Sequence, residues 1–141
     1  MDMKLMDWND LQFIRDFFKH DRFATDAGAV IDWVKPGEAR CSLELGPQHQ
    51  NAAGLLQGGV AFTLADFAFA VAANVTHPVT VSLNNQIAFL RPPKGAKLIA
   101  TAKELSAGKT TCYYEVEVTD EFETSVAHMT VTGYIRSLAE K

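Results

Sequence analysis

Between Gln57 and Asn74 the chain reads QGGVAFTLADFAFAVAAN, and at helical spacing this run leaves no polar face. A helix that is apolar on every side has to be buried on every side, so the rest of the chain must wrap around it. At about 1.5 Å per residue it spans roughly 27 Å, enough to cross several strands set about 4.8 Å apart. One carboxylate, Asp66, stands in its middle and interrupts the apolar stretch from Val60 to Val75. Free of polar interruption, no stretch reaches membrane-spanning length.

The flanking segments define what does the wrapping. Residues 9–19 read as a helix, with Asn9 or Asp10 as its cap and Leu11, Ile14, Phe17 and Phe18 on one stripe. Residues 28–34 and 38–45 read as strands joined by the turn KPG, and GPQHQNAAG is a loop. After the central helix come four strands, Thr80–Leu90, Lys97–Leu105, Thr110–Thr119 and Ser125–Ile135. Tyr114, Val116 and Val118 share one face of the third, and Glu115 and Glu117 share the other. The separators RPPKGA, SAGK and DEFE have turn chemistry, which predicts that sequential strands are antiparallel neighbours. The expected class is α+β: a curled antiparallel sheet of about five to six strands around one long helix, in a single domain spanning residues 1–141, with residues 1–20 as an N-terminal helical segment.

Composition narrows the partners. A net charge of -4 and a pI near 5.5 argue against nucleic acid, because phosphate binding needs a basic surface. Cys41 and Cys112 lie far apart with no metal or redox spacing, as expected of small hydrophobes in a reduced compartment. The N-terminal residues lack a basic region followed by an apolar run, so no secretory signal is predicted. The expectation is a cytoplasmic protein with no membrane partner. His20, His49, His77 and His128 are scattered without metal-ligand spacing, so no metal is expected. A loop or surface role suits His49.

Asp66 is where chemistry is expected. A buried carboxylate is costly and its pKa rises unless a partner compensates, so it either faces water, bonds a nearby amide, or serves a reaction. The Gly58–Gly59 pair opens the same helix. Its unpaired N–H groups and positive dipole end suit an anion or a developing oxyanion, and glycine removes the Cβ that would bar approach; for a lone pair of glycines, capping or close packing is the readier explanation. Gly58 and Asp66 lie eight residues apart, roughly 12 Å along one helix. They cannot both reach one carbonyl within a single chain, so a joint role needs two subunits. The apolar helix independently asks for a second subunit as cover.

The pattern N-x-x-G-x-x-Q-G-G-x-x-x-x-L-A-D, from Asn51 to Asp66, resembles the signature of hot-dog fold acyl-CoA thioesterases of the phenylacetate-degradation (PaaI-like) type. TVSLNNQIAFLRPPKGAKLIATAKEL is similar to the strand, FLRP turn and following strand of that family, and the likeness covers most of residues 24–136. The resemblance implies homodimers, usually homotetramers, that hydrolyse acyl-CoA thioesters with no cofactor, coenzyme A being part of the substrate. It makes Asp66 the general base or nucleophile, and Gly58 the residue whose backbone N–H polarises the thioester carbonyl. Asn51 matches the side-chain amide beside the thioester and the attacking water. Ser82 falls where some members hold that water. Where many members have histidine, this chain has Gln57, which can orient the thioester but cannot titrate near neutral pH. That departure weighs against a dehydratase on the same fold.

For the substrate, Gly59 adds a second amide at the helix start, and Phe62 and Phe67 are expected to line the acyl pocket. Arg91, Lys94 and Lys97 in RPPKGAK offer cations for the phosphates of coenzyme A, or form a solvated basic turn. An alternative from another class is a non-catalytic acyl-CoA-binding protein, a sensor or scaffold.

Overall fold

The computed structural model describes residues 6–136; the parts of the N-terminal segment and of the C-terminal end beyond these limits lie outside the described residues. Helix α1 (Leu11–Phe18) starts at Asp10, whose carboxylate accepts the Phe13 N–H, and buries Ile14 and Phe18 one turn apart. Helix α2 (Arg22–Ala27) follows. Asp21 caps it, and Gly28 ends it in the left-handed conformation at φ 113°. The sequence does not predict this helix by periodicity, since six residues are too few to show a helical period. Its capping aspartate and closing glycine are nonetheless both legible.

Strands β1 (Val30–Lys35) and β2 (Glu38–Glu44) form the first hairpin. The central helix, α3, runs Gly58–Thr76. Strands β3 (Thr80–Phe89), β4 (Lys97–Ala107), β5 (Thr111–Asp120) and β6 (Ser125–Ile135) complete one antiparallel sheet in the order β1-β2-β4-β5-β6-β3. This is the hot-dog arrangement, a six-stranded sheet around one long helix.

One predicted pairing is corrected. The RPPKGA turn was expected to make β3 and β4 neighbours, yet β3 pairs with β6 and β4 pairs with β2. Pro92 and Pro93 donate no backbone hydrogen bond and force extended backbone before them, so this connection crosses the sheet instead of closing a hairpin. Consequently β3 becomes an edge strand.

The core forms where α3 lies on the concave face. Leu64, Ala65, Ala68, Val71 and Ala72 are buried against Leu98, Ala100 and Ala102 of β4 and Tyr114, Val116 and Val118 of β5. The alanines on both sides let helix and strand approach closely. Cys41 and Cys112 are unpaired and buried, as small hydrophobes should be. By length and hydropathy α3 alone among the described helices could span a bilayer, but most of that stretch is buried inside the fold.

Candidate functional site

Asp66 lies on the side of α3 that the sheet covers only in part, next to β3. Phe62, Thr63, Asp66 and Ala70 are only partly buried there, while Leu64, Ala65, Phe67, Ala68 and Phe69 are fully so. The Asp66 Oδ1 accepts a hydrogen bond from Asn85 Nδ2 on β3 at 3.0 Å. Burial pushes the Asp66 carboxyl above its ordinary pKa, the Asn85 bond opposes that rise, and the nearby charge of Asp21 adds to it. A carboxylate poised this way keeps more proton affinity than one in water, as a general base requires.

Asn85 was missing from the expected site residues. Its one sequence signal is the Asn84–Asn85 pair inside a strand, where asparagine is unfavourable. Ser82 is exposed on β3, next to a register shift between Ser82 and Asn84, and the side chain bonded to Asp66 is Asn85.

The second part of the site gathers at the start of α3. Gln57 occupies the N-cap position without a side-chain cap bond, so the first N–H groups keep their capacity to donate. A cavity of about 450 Å³ opens there, lined by Asn51, Leu55, Gly58, Phe89, Arg91 and Pro92. At Gly58 a Cβ would stand 3.1 Å from the Phe89 ring, so glycine is what lets the ring and the helix start share this wall. The Asn51 Oδ1 accepts from the Ala53 and Leu55 N–H groups at 2.9 and 3.1 Å, which leaves its Nδ2 as the group offered to a ligand.

Gln57 is exposed, and its Oε1 lies where a Cβ on Gly59 would sit, 2.6 Å away. Phe62 is half-buried on the Asp66 face of the helix. Arg91 donates from Nη1 to the Ser125 carbonyl at 3.0 Å, which holds this cation at the cavity wall. Lys94 has an exposed side chain and is not among the residues lining the cavity. Its backbone N–H is fixed by Asp120 at 2.8 Å. The structure therefore brings Asn51, Gly58 and Arg91 together, and sets Asp66 and Asn85 apart from them along the helix.

The histidines have other duties. His49 is 3% exposed, and its ring bridges the Gly46 N–H on Nδ1 (2.9 Å) and the Ala27 carbonyl on Nε2 (2.8 Å). That arrangement makes Nε2 the protonated nitrogen and His49 a buried pin between loop and α2, not a surface group. His77 and Tyr114 both bond Glu104 Oε2, at 2.5 and 2.7 Å, beyond the far end of α3. Strand register brings His128 to 3.4 Å from Glu115 and 3.9 Å from Glu117. The three could share an ion, although nothing in their sequence spacing foretold it. They lie on the outer face of the sheet, opposite α3.

An antiparallel sheet wrapped around one apolar helix, a helix start with open amides and a carboxylate on the helix itself define a class. The thioesterase superfamily model matches residues 53–127, more than half of the 141, and this chain belongs to that superfamily. Acyl-coenzyme A thioesterase PaaI of Escherichia coli is 33% identical over 111 residues, covering 78% of this chain and 79% of its own. An Archaeoglobus fulgidus protein that carries an esterase name is 32% identical over 123 residues, 86% of this chain and 80% of that one. The solved structure of the E. coli PaaI protein, from the phenylacetic acid degradation operon, matches with a TM-score of 0.82 at 26% identity. It covers 93% of this chain and 97% of its own. The likeness to PaaI-like hot-dog thioesterases therefore extends over most of both chains.

Proposed function

We propose that this protein hydrolyses acyl-CoA thioesters to the free acid and coenzyme A. The observation that carries the reading is Asp66: a half-buried carboxylate with raised proton affinity, on the partly covered side of a helix that holds no other charged residue, in a member of the thioesterase superfamily. In the general-base route Asp66 takes a proton from water as the water oxygen attacks the thioester carbon. The carbonyl electron pair moves onto oxygen, where the Gly58 N–H stabilises it; collapse breaks the C–S bond and the thiolate leaves with a proton. In the nucleophile route the Asp66 carboxylate attacks the thioester carbon, the C–S bond breaks and coenzyme A leaves as the thiolate; water then splits the resulting anhydride, which frees the acid and restores Asp66. Asn51 Nδ2 orients the carbonyl or the water, Gln57 and Gly59 flank the thioester, and Ser82 lies on the same edge strand as Asn85. Phe62 contacts the acyl part, and Arg91 and Lys94 meet phosphates. Base and oxyanion donor both come from the chain, so the proposed chemistry calls on no metal or redox cofactor.

Gly58 and Asp66 are roughly 12 Å apart along one helix, so this reading draws them from two different subunits. Strand β3 supports such a partner. Among the described residues it pairs only with β6, it contains no charged residue, and Leu83 and Phe89 are 62% and 57% exposed. Edge strands that must stay unpaired are usually guarded by charge, so this one is built to take a second copy. A homodimer, or a homotetramer of such dimers, is the proposed assembly, and a cytoplasmic location fits the two unpaired cysteines.

Thiol release from aryl-, medium- and long-chain acyl-CoAs tests the reading, with Asp66→Asn beside wild type. The expected result is turnover that falls about a hundredfold to ten-thousandfold in the variant. Intact coenzyme A binding with no turnover on any substrate would shift the reading to an acyl-CoA-binding protein.

A further inference from the structure

On the opposite flank of α3 from β3, a second cavity of about 490 Å³ lies between α1, α2 and β1. Small-molecule sites commonly fall in this size range, with apolar walls and a few placed polar groups. Phe18, Ala29, Ile31 and Phe67 form buried walls, with the Phe18 and Phe67 rings edge to face at 5.9 Å. Two cations, Arg15 and Lys19, stand one helical turn apart on α1 at the exposed rim, with Asp32 in the lining and Asp16 beside Lys19.

The rim is prepared for an anion. Arg15 is clamped by its Nε and Nη2, which donate to the Ile31 carbonyl at 3.0 and 2.7 Å, and its Nη1 has no partner among the described residues. Lys19 pairs with Asp16 at 3.2 Å, but both side chains are more than half exposed, and such a pair is weak enough to be exchanged. Asp32 is already engaged, its Oδ1 accepting from the Ser42 hydroxyl at 2.9 Å. The rim thus balances two cations against Asp16 and Asp32, and what it offers a ligand above the apolar floor is the Arg15 Nη1 and an exchangeable Lys19.

We propose that this cavity binds an apolar carboxylate. The hydrocarbon or aryl part packs on Phe18, Ile31 and Phe67, and the carboxylate meets Arg15 and Lys19. Phe67 follows Asp66 on α3, and Asp21, at the α1–α2 corner, already acts on the Asp66 carboxyl. If the chain is the thioesterase proposed above, the acid it releases is a ligand of this kind, held one residue from the catalytic carboxylate.

Decanoate is the probe, titrated into the full-length wild-type protein by isothermal calorimetry and by amide NMR. Expected are saturable binding, shifts at residues 15–19 and 29–32, and about tenfold weaker binding of 1-decanol. Lys19→Glu, an exposed change that should fold normally, is expected to weaken decanoate about tenfold, and Thr25→Trp to fill the cavity and abolish binding. Absence of saturable binding overturns the proposal. So does binding that neither variant changes, which would place the acid elsewhere, for example on the apolar β3 edge. The test needs no turnover, so it stands or falls separately from the thioesterase reading.

Discussion

At the scale of single residues, Asp66 and Asn85 set each other's chemistry. Burial raises the Asp66 pKa, and the Asn85 hydrogen bond to its charged form lowers it. Replacing Asn85 by leucine keeps the volume and removes the donor, so the Asp66 pKa should rise further. The acid limb of kcat/KM, which reports the base in the free enzyme, is then expected to move to higher pH. Activity well above that limb should be largely retained. A pH–rate profile in which the limb stays put while activity falls at every pH would make Asn85 merely structural. Asp66 was legible in the sequence because a carboxylate breaks an apolar helix. Asn85 was not, because its role depends on β3 lying alongside α3, nineteen residues on.

At the scale of elements, the connections carry as much information as the strands. Asp120 is 1% exposed, and its carboxylate accepts the N–H groups of Lys94 and Gly95 from one connection and of Phe122 and Thr124 from another. Burial alone would raise its pKa, but these N–H donors outweigh burial and hold it well below the ordinary 3.8. A depressed carboxylate stabilises the fold fully above its unfolded pKa, and that contribution is lost as pH falls below it. Asp120→Asn is therefore expected to cost about 2 kcal/mol near pH 6. The gap to wild type should shrink as the pH is lowered toward 3, measured by urea unfolding at each pH. A gap that does not narrow would mean that charge is not what ties the two connections. The same RPPKGA connection has turn residues visible in the sequence, but its two prolines make it a crossing between β3 and β4 and not a hairpin.

At the scale of the whole molecule, the described residues leave one side of α3 only partly covered and the outer edge of β3 unpaired. Leu83→Lys places a charge on that edge and is expected to yield a monomer by sedimentation with turnover lost in parallel. A wild-type monomer that still turns over acyl-CoA would remove the two-subunit site. The far edge strand, β1, is shorter, at six residues, and carries Asp32 and Lys35, so it is the less suited to pairing.

By itself the sequence determined the buried helix, the antiparallel strands around it and the positions of Asp66 and Gly58. These follow from periodicity and from the cost of a carboxylate in an apolar run, which are local properties of the chain. Tertiary structure alone decided that β3 sits at the edge beside β6, that Asn85 meets Asp66, and that Arg15 and Lys19 rim a cavity against Phe67. Each of those depends on which distant segments come together, and a pattern of period 2 or 3.6 says which face is buried without saying against what.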